Sequence, residues 1–375
     1  MIYLDNAATT KPSQRAAEAM MQAVSEFGNP SSLHGVGLRA EKLISASKEN
    51  IARTLSVNAK NIYITSGGTE ANNLAIIGTA DALKRRGNRV ITSTIEHPSV
   101  LESFKKLEKD GFDVVYIGVT DEGIVNLDEL RDALTEDTIL VSIMHVNNET
   151  GVIQPISDIS KLVRDNTRFC VIHSDCVQSF GKIPVKPEQM GVDMVSISAH
   201  KIHGFKGTGA LYTKNTKLNP IIFGGEQQNE IRPGTENVGG ILAFGAAAEE
   251  CSCDIAQMQR KRNLMRDLLL EKVDDMQING SNDSNSGSVL NVSFIGIKAE
   301  ILLHSLERYE IYVSTGSACS SHKPQPSHVL SAMGISKKAV DGAIRISFSQ
   351  NTTDDEITFA AEKIADEVRN IRRYM

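Results

Sequence analysis

A chain of 375 residues is long enough to bury a large core and by size divides into two domains, or one domain with a substantial appendage. Its net charge of −6, with no basic run or stacking platform, excludes any general attraction to nucleic acid or an anionic membrane surface. Cys170, Cys176, Cys251, Cys253 and Cys319 are too few and too oddly numbered for a disulfide framework. No apolar run approaches the roughly 20 residues of a membrane span, and M-I-Y-L-D-N-A-A-T-T at the N-terminus lacks the basic and apolar regions of a secretory signal. The expectation is a cytoplasmic protein in a reducing compartment.

Short β-rich runs alternate with helical patterns from about residue 60 to 215, the pattern of βα units that build a parallel, doubly wound sheet. The expected strands are 61–65, 89–93, 114–117, 138–146, 170–174, 194–198 and 209–213, with amphipathic helices such as 70–86 and 100–110 between them. A long helical segment follows at 236–277, then the polar stretch N-G-S-N-D-S-N-S-G-S at 279–288, which reads as a surface loop. Beyond it come S-V-L-N-V-S-F, a helix near 299–309, the strand I-Y-V-S, a loop around Cys319, the strand I-R-I-S-F-S and a last helix. That helix opens with the capping-box spacing Thr353 to Glu356 and puts Ile357, Ala361, Ile364, Val368 and Ile371 on one face. The second half is therefore a smaller α+β domain.

Ligands of open parallel sheets bind beyond the carboxyl ends of the strands, and each strand here delivers polar residues there. The first runs into S-G-G-T-E-A-N-N, where two glycines allow a tight turn and the helix from Thr69 offers free N–H groups to an anion. The second leads to His97 before Pro98, a position that a helix-capping histidine also takes. H-V-N-N-E-T-G brings Asn147, Asn148 and Glu149, whose amides also suit a turn. C-V-I-H-S-D-C-V-Q ends in Asp175 and Gln178. Its Cys170, His173 and Cys176 have a zinc-like spacing, but strand residues three apart face opposite ways and no fourth ligand is near, so no metal is expected.

D-M-V-S-I-S leads into A-H-K-I-H-G-F-K-G-T-G, where Lys201 lies between two histidines beside a strand end, a setting suited to Schiff-base formation. An anion-binding helix start, an imidazole, an asparagine, an aspartate with a glutamine and a lysine at one edge make the set that pyridoxal 5'-phosphate requires. Cys319, in S-T-G-S-A-C-S-S-H-K-P-Q-P-S, stands among small and turn-forming residues, unlike a packed structural cysteine.

These motifs, from Y-L-D-N-A-A-T-T through F-G-N-P-S-S-L-H, T-S-G-G-T-E-A-N-N-L-A, E-H-P-S-V-L, H-V-N-N-E-T-G, S-A-H-K-I-H-G and R-P-G-T-E-N to S-T-G-S-A-C-S-S, closely resemble the cysteine desulfurases of the NifS/IscS type. That group lies within the class V aminotransferase family of fold-type I pyridoxal-phosphate enzymes. The resemblance implies an α/β fold with a large cofactor-binding domain, 15–255, on a mostly parallel seven-stranded sheet. Residues 1–14 and 256–375 would form a small α+β domain carrying the catalytic loop at about 314–328. Lys201 would hold the cofactor, His97 would stack on its ring, Asp175 would pair with the ring nitrogen, and Asn148 and Gln178 would contact the ring and its hydroxyl. Gly68, Thr69, Ser198 and His200 would bind the phosphate, and Thr235 would reach the phosphate in the other subunit of a homodimer. Arg345, with Asn148, would clamp the substrate carboxylate, although an arginine there also suits a structural ion pair.

The implied reaction converts L-cysteine to L-alanine and leaves a persulfide on Cys319, which passes the sulfur to an acceptor protein such as an iron–sulfur scaffold. His97 would relay a proton. Selenocysteine lyase and class V aminotransferase activities share the cofactor, and a non-catalytic sulfur-transfer scaffold would keep the thiol. The presence of both Lys201 and Cys319 argues for the desulfurase. Cys176, where relatives commonly carry alanine, reads as a small space-filling side chain.

Overall fold

The computed structural model describes residues 1–214, 216–315 and 326–374. Thirteen strands occur among them: β1 (Ile2–Tyr3), β2 (Ile62–Thr65), β3 (Arg89–Ser93), β4 (Asp113–Ile117), β5 (Thr138–Ser142), β6 (Val171–Asp175), β7 (Met194–Ser198), β8 (Gly209–Thr213), β9 (Met276–Asn279), β10 (Val289–Phe294), β11 (Ile311–Tyr312), β12 (Ser314–Thr315) and β13 (Ala343–Ser347). A seven-stranded sheet takes the order β2-β8-β7-β6-β5-β3-β4. Only β8 runs against the others. The fold is the expected α/β arrangement, with the carboxyl ends of six strands on one edge.

Strand alternation explains how both faces are covered. Ile91, Val141, Ile172, Val195 and Ile197 face a core shared with Ile51 and Leu55 of the helix Gly35–Leu55 and with Ile241 and Phe244 of the helix Val238–Glu249. Val90, Leu140, Met194 and Leu211, each one residue out of step, face a second core with Ala71, Leu74 and Ala75 of the helix Gly68–Leu83. A sheet buried on both faces needs apolar residues at nearly every position, which is why its strands read as continuous apolar runs.

A four-stranded antiparallel sheet, β12-β13-β10-β9, forms the second layer system. Its core joins Leu290, Val292, Phe294, Ile344 and Ile346 to the helices Ile255–Lys272, Ala299–Glu307 and Asp354–Tyr374. The last helix starts as its capping box requires: Thr353 Oγ1 accepts from Glu356 N at 3.2 Å, and Glu356 Oε2 accepts from Thr353 N at 2.9 Å.

Three expectations need correction. The run 138–146 leaves the sheet after Ser142, because Val146 pairs instead with Ile153 across the N-N-E-T-G turn. The helical segment 236–277 is two helices, broken where Cys253 takes a left-handed φ of 50° and Asp254 caps the next helix by accepting from Gln257 N. The stretch 279–288 is no surface loop: Asn279, Ser281, Asn285, Ser286 and Ser288 are all buried. Its polar side chains satisfy inner backbone instead. Asn285 Nδ2 donates to Thr150 O at 3.0 Å, Asn285 Oδ1 accepts from Gly287 N at 2.9 Å, and Ser284 Oγ donates to Ile153 O at 3.0 Å. The segment thus buttresses the N-N-E-T-G turn from behind.

Truncating Asn285 strands Thr150 O and Gly287 N in the interior. Asn285→Ala is expected to lower the unfolding free energy by roughly 3 kcal/mol, as read from guanidinium denaturation, because each buried unsatisfied group costs about 1–3 kcal/mol. The exposed control Asp283→Ala should change it by less than about 0.5 kcal/mol.

Candidate active site

The turn after β2 sets one end of the site. Gly67 adopts φ +155° and ψ −178°, a region open essentially to glycine alone. Gly209, opposite Thr65 and Ser198 in the sheet, has no room for a side chain, because a Cβ there would lie 2.7 Å from the Gly67 backbone. Residues Gly68 and Thr69 then open a sixteen-residue helix, whose first N–H groups have no partner within the helix and suit an anion. Ser198, at the end of β7, is buried with its Oγ unpartnered.

Gly68, Thr69 and Ser198 line a cavity of about 330 Å³ together with His97, Asn148, Asp175, Gln178, His200, Lys201 and Arg345. Every expected site residue among the described ones therefore reaches one cavity, except Thr235. That residue lines a separate recess with Ser66, Arg232 and Glu236. Cys319, with Gly316, Ser317, Ala318 and Pro324, lies outside the described residues. The chain on either side is described, and each end contacts a cavity residue or the sequence neighbour of one. Ser314 of β12 pairs with Arg345. On the far side, Ser327 Oγ donates to Glu149 Oε2 at 2.5 Å, and His328 Nε2 donates to the Glu96 carbonyl at 3.0 Å.

His97 is both a cavity residue and the cap of the helix Pro98–Lys109. Its Nδ1 accepts from Ser99 N at 3.1 Å and lies 2.8 Å from Ser99 Oγ. A buried relay continues from there: Asn72 Nδ2 donates to Ser99 Oγ at 2.8 Å and to Asp175 Oδ2 at 2.6 Å. A carboxylate only accepts, so the amide presents its NH₂ group, and Ser99 Oγ–H is left to donate to His97 Nδ1. The imidazole proton consequently resides on Nε2. Burial is the largest influence on this ring and pulls its pKa below the usual value, with Asp175 opposing and Lys201 adding to the effect. Asp175 Oδ1 accepts from Val177 N at 2.9 Å.

Lys201 leaves the short 3-10 turn Ala199–Lys201, and its Nζ donates to Ala7 O at 2.5 Å and Ala8 O at 2.7 Å. Gln178 Nε2 also donates to Ala7 O, at 2.9 Å. Burial, followed by the charge of Lys201, lowers the pKa of His200 to about 4 and keeps it neutral. Arg345 is buried. Its NH2 meets Asp5 Oδ1 at 2.8 Å and its NH1 donates to Asn148 O at 3.1 Å. The structural pairing expected as an alternative for this arginine is thus present, and the arginine lines the cavity as well.

Other readings resolve on geometry. Asn147 shapes its turn, with Oδ1 accepting from Glu149 N and Thr150 N, whereas Asn148 faces the cavity. Both nitrogens of His173 are held by serines, Ser142 at 2.8 Å and Ser196 at 2.9 Å, so neither is available to a metal. Burial pushes the Cys176 thiol up to about 12, which keeps it an uncharged space-filling group.

Several contributors went unassigned in the sequence. Asn72 stood inside a quoted motif, but only the fold puts it between Asp175 and Ser99. The carbonyls of Ala7 and Ala8 carry no side-chain signal at all. Glu96, fully buried, has its pKa raised to about 8 chiefly by burial, and its Oε1 accepts from Ser93 Oγ and Met144 N.

The Aminotransferase class-V family matches residues 2–359. Curated relatives include the cysteine desulfurase IscS of Dictyoglomus turgidum, 42% identical over 100% of this chain and 96% of that protein. Another is the cysteine desulfurase IscS of Methanosarcina thermophila, 39% identical over 99% and 93%. Among solved structures, a NifS-like protein superposes with a TM-score of 0.92 at 36% identity, covering 98% of this chain and 99% of its own. SspA in complex with cysteine gives a TM-score of 0.83 at 34% identity, covering 93% and 99%. The chain belongs to the class-V aminotransferase family, the class that its sheet and strand-end cavity define. Within that family it falls among the cysteine desulfurases of the NifS/IscS type.

Nitrogen-15 NMR of the imidazoles is expected to show His97 as the neutral Nε2–H tautomer from pH 6.5 to 8.5. Its pKa is displaced below the usual imidazole value, which favours the neutral ring; an imidazolium at pH 7 would contradict the relay.

Proposed function

We propose that the cavity holds pyridoxal 5'-phosphate and that the enzyme takes sulfur from L-cysteine, leaving L-alanine and a persulfide on Cys319 that is passed to an acceptor protein. The observation that carries this is the assembly of an amine, a buried carboxylate, an imidazole, an anion-ready helix start and a guanidinium on one cavity wall. The residues fit the cofactor. The unpartnered Ser198 Oγ and the free N–H groups beside Gly68 suit a phosphate, and a Cβ on Gly68 would strike Val177 at 2.6 Å.

Lys201 would hold the cofactor through Nζ, Asp175 would accept from its ring nitrogen, and His97 would cover the ring. Asn148 and Gln178 would meet the ring and its hydroxyl, and Gly68, Thr69, Ser198 and His200 would bind the phosphate. When bound, the cofactor supplies an electron sink that acidifies the substrate's α-hydrogen and weakens its bond to sulfur.

The remaining work falls to the chain's own side chains. Arg345, already oriented by Asp5 and the Asn148 carbonyl, binds the substrate carboxylate with help from the Asn148 side chain. Lys201 Nζ, freed by the substrate amine, takes the α-proton and returns it after the Cβ–S bond has broken, so that alanine keeps its α-hydrogen. The Cys319 thiolate attacks the substrate sulfur: an S–S bond forms, the Cβ–S bond breaks, and its electron pair stays with the substrate carbon. Protonation of that carbon completes the methyl group of alanine. His97, with Nδ1 occupied by Ser99, offers Nε2–H to the relay. The carboxylate of Asp175 stays fixed by Asn72 and Val177 N throughout.

The reading includes a homodimer with shared sites. Met21, Val24, Phe27, Leu33, Ile222 and Phe223 are exposed, Leu33 at 93% and Phe223 at 83%. Large apolar side chains left this exposed suit a surface that another subunit covers. Thr235, in its recess beside Ser66 and Arg232, would complete the phosphate site of the other subunit. No helix among the described residues is long and apolar enough to cross a membrane.

Purified protein loaded with pyridoxal 5'-phosphate is expected to be yellow and to release alanine and sulfide from L-cysteine plus a thiol reductant. Lys201→Ala should lose the visible band, and Cys319→Ser should lower both products at least about 100-fold, as removal of a nucleophile does. A Cys319→Ser variant producing both at the normal rate sinks the mechanism. Sedimentation should give twice the chain mass of 40.8 kDa, and Phe223→Asp should shift it toward the monomer.

A further inference from the structure

Among the described residues, Lys182 is a half-buried amine close to Lys201 to which the mechanism assigns no task. It follows Gln178 by one turn, and its Nζ donates to Gln178 Oε1 at 3.0 Å. No carboxylate pairs with it among the described residues. The charged and titratable groups around it are Lys201, Arg345 and Cys251, with His200 and His203, both of which feel its charge, and Glu250 across the small cavity behind Lys201. Most of these are cations or neutral groups, so the site places positive charge against one edge of the main cavity.

We infer that Lys182 is a positioning residue that locks the Gln178 amide so that its NH₂ group, and not its carbonyl, faces the cofactor ring. The logic is one of donors and acceptors. An ammonium has no lone pair, so the Gln178 atom that meets it is the oxygen. The Ala7 carbonyl has no proton, so the Gln178 atom that meets it at 2.9 Å is the nitrogen. With both ends specified, the second N–H of Nε2 is left for an acceptor in the cavity that Gln178 lines. On the cofactor assignment proposed above, on which this inference rests, that acceptor is the ring oxygen, which is best stabilised as its anion by a donor held in a fixed orientation. Burial, then Lys201 and Arg345, bring the pKa of Lys182 down to about 7; the neutral amine gains a lone pair but keeps two N–H donors, and because the Ala7 carbonyl still requires Gln178 Nε2, the amide keeps its orientation on either side of that pH.

The test is the pH midpoint of the visible absorption of the holoenzyme, measured without substrate. Lys182→Met should raise that midpoint by about one pH unit, since the fixed orientation of the donor that favours the deprotonated ring oxygen is lost. Lys182→Arg, a donor that stays cationic, should titrate at or below the wild-type midpoint. In a Gln178→Ala background the Lys182→Met shift should fall to less than half, because the lysine acts through the amide. An unshifted Lys182→Met midpoint overturns the inference, as does a full-sized shift in the Gln178→Ala background. Circular dichroism reports folding; if Lys182→Met does not fold, Lys182→Gln, which is neutral and imposes no amide orientation, takes its place with the same expected rise. A wild-type protein without any visible band overturns the cofactor assignment itself, and this inference with it.

Discussion

Six strands that run the same way impose one constraint from which the rest of the molecule follows. Successive parallel strands must be joined by a return across a face of the sheet, and the turns that end all six strands leave from the same edge. The residues that begin those turns, Gly68, His97, Asn148, Asp175 and Lys201, are separated by up to 133 positions in sequence, yet they line one cavity. The single reversed strand, β8, brings Gly209 rather than a side chain to that edge. This lets the Gly67 turn close down over it.

The N-terminal segment joins this edge to the second sheet. Asp5 orients Arg345, Ala7 N donates to Ser347 Oγ, and the Ala7 carbonyl takes hydrogen bonds from both Lys201 and Gln178. Thr10 is held at the His200 carbonyl through both its N and Oγ1. Two separately packed sheets are thereby linked through polar contacts at the site itself. Backbone carbonyls are fixed acceptors, so they hold a lysine in place without adding a negative charge beside Asp175. Lys201 and Arg345 both bind the N-terminal segment, Arg345 through Asp5, while Asp175 is fixed separately by Asn72 and Val177 N.

Much of this was legible beforehand for identifiable reasons. Strands buried on both faces cannot alternate, so β5 and β7 declare themselves as apolar runs, and the polar residue after each is conspicuous. The capping box at Thr353 is a local interaction and reads from local sequence. The loop at 279–288 misled because composition reports polarity and not location: serines and asparagines are buried here against backbone groups that only the fold supplies. The break before Ile255 misled as well, since a non-glycine left-handed residue such as Cys253 gives no compositional warning.

The order of elements, the chemical type of each cavity residue and the family itself were determined by the sequence alone, because strand and helix periodicity and motif spacing are properties of neighbours along the chain. What only the tertiary structure decided is how those groups are coupled. The Asn72 relay that fixes the tautomer of His97, the pairing of Arg345 with Asp5 and the contact between Lys182 and Gln178 depend on distances of about 3 Å and on which end of an amide faces which partner. The two long-range couplings join residues far apart in sequence. The contact between Lys182 and Gln178 is local, yet its consequence depends on Ala7, which lies 171 positions away.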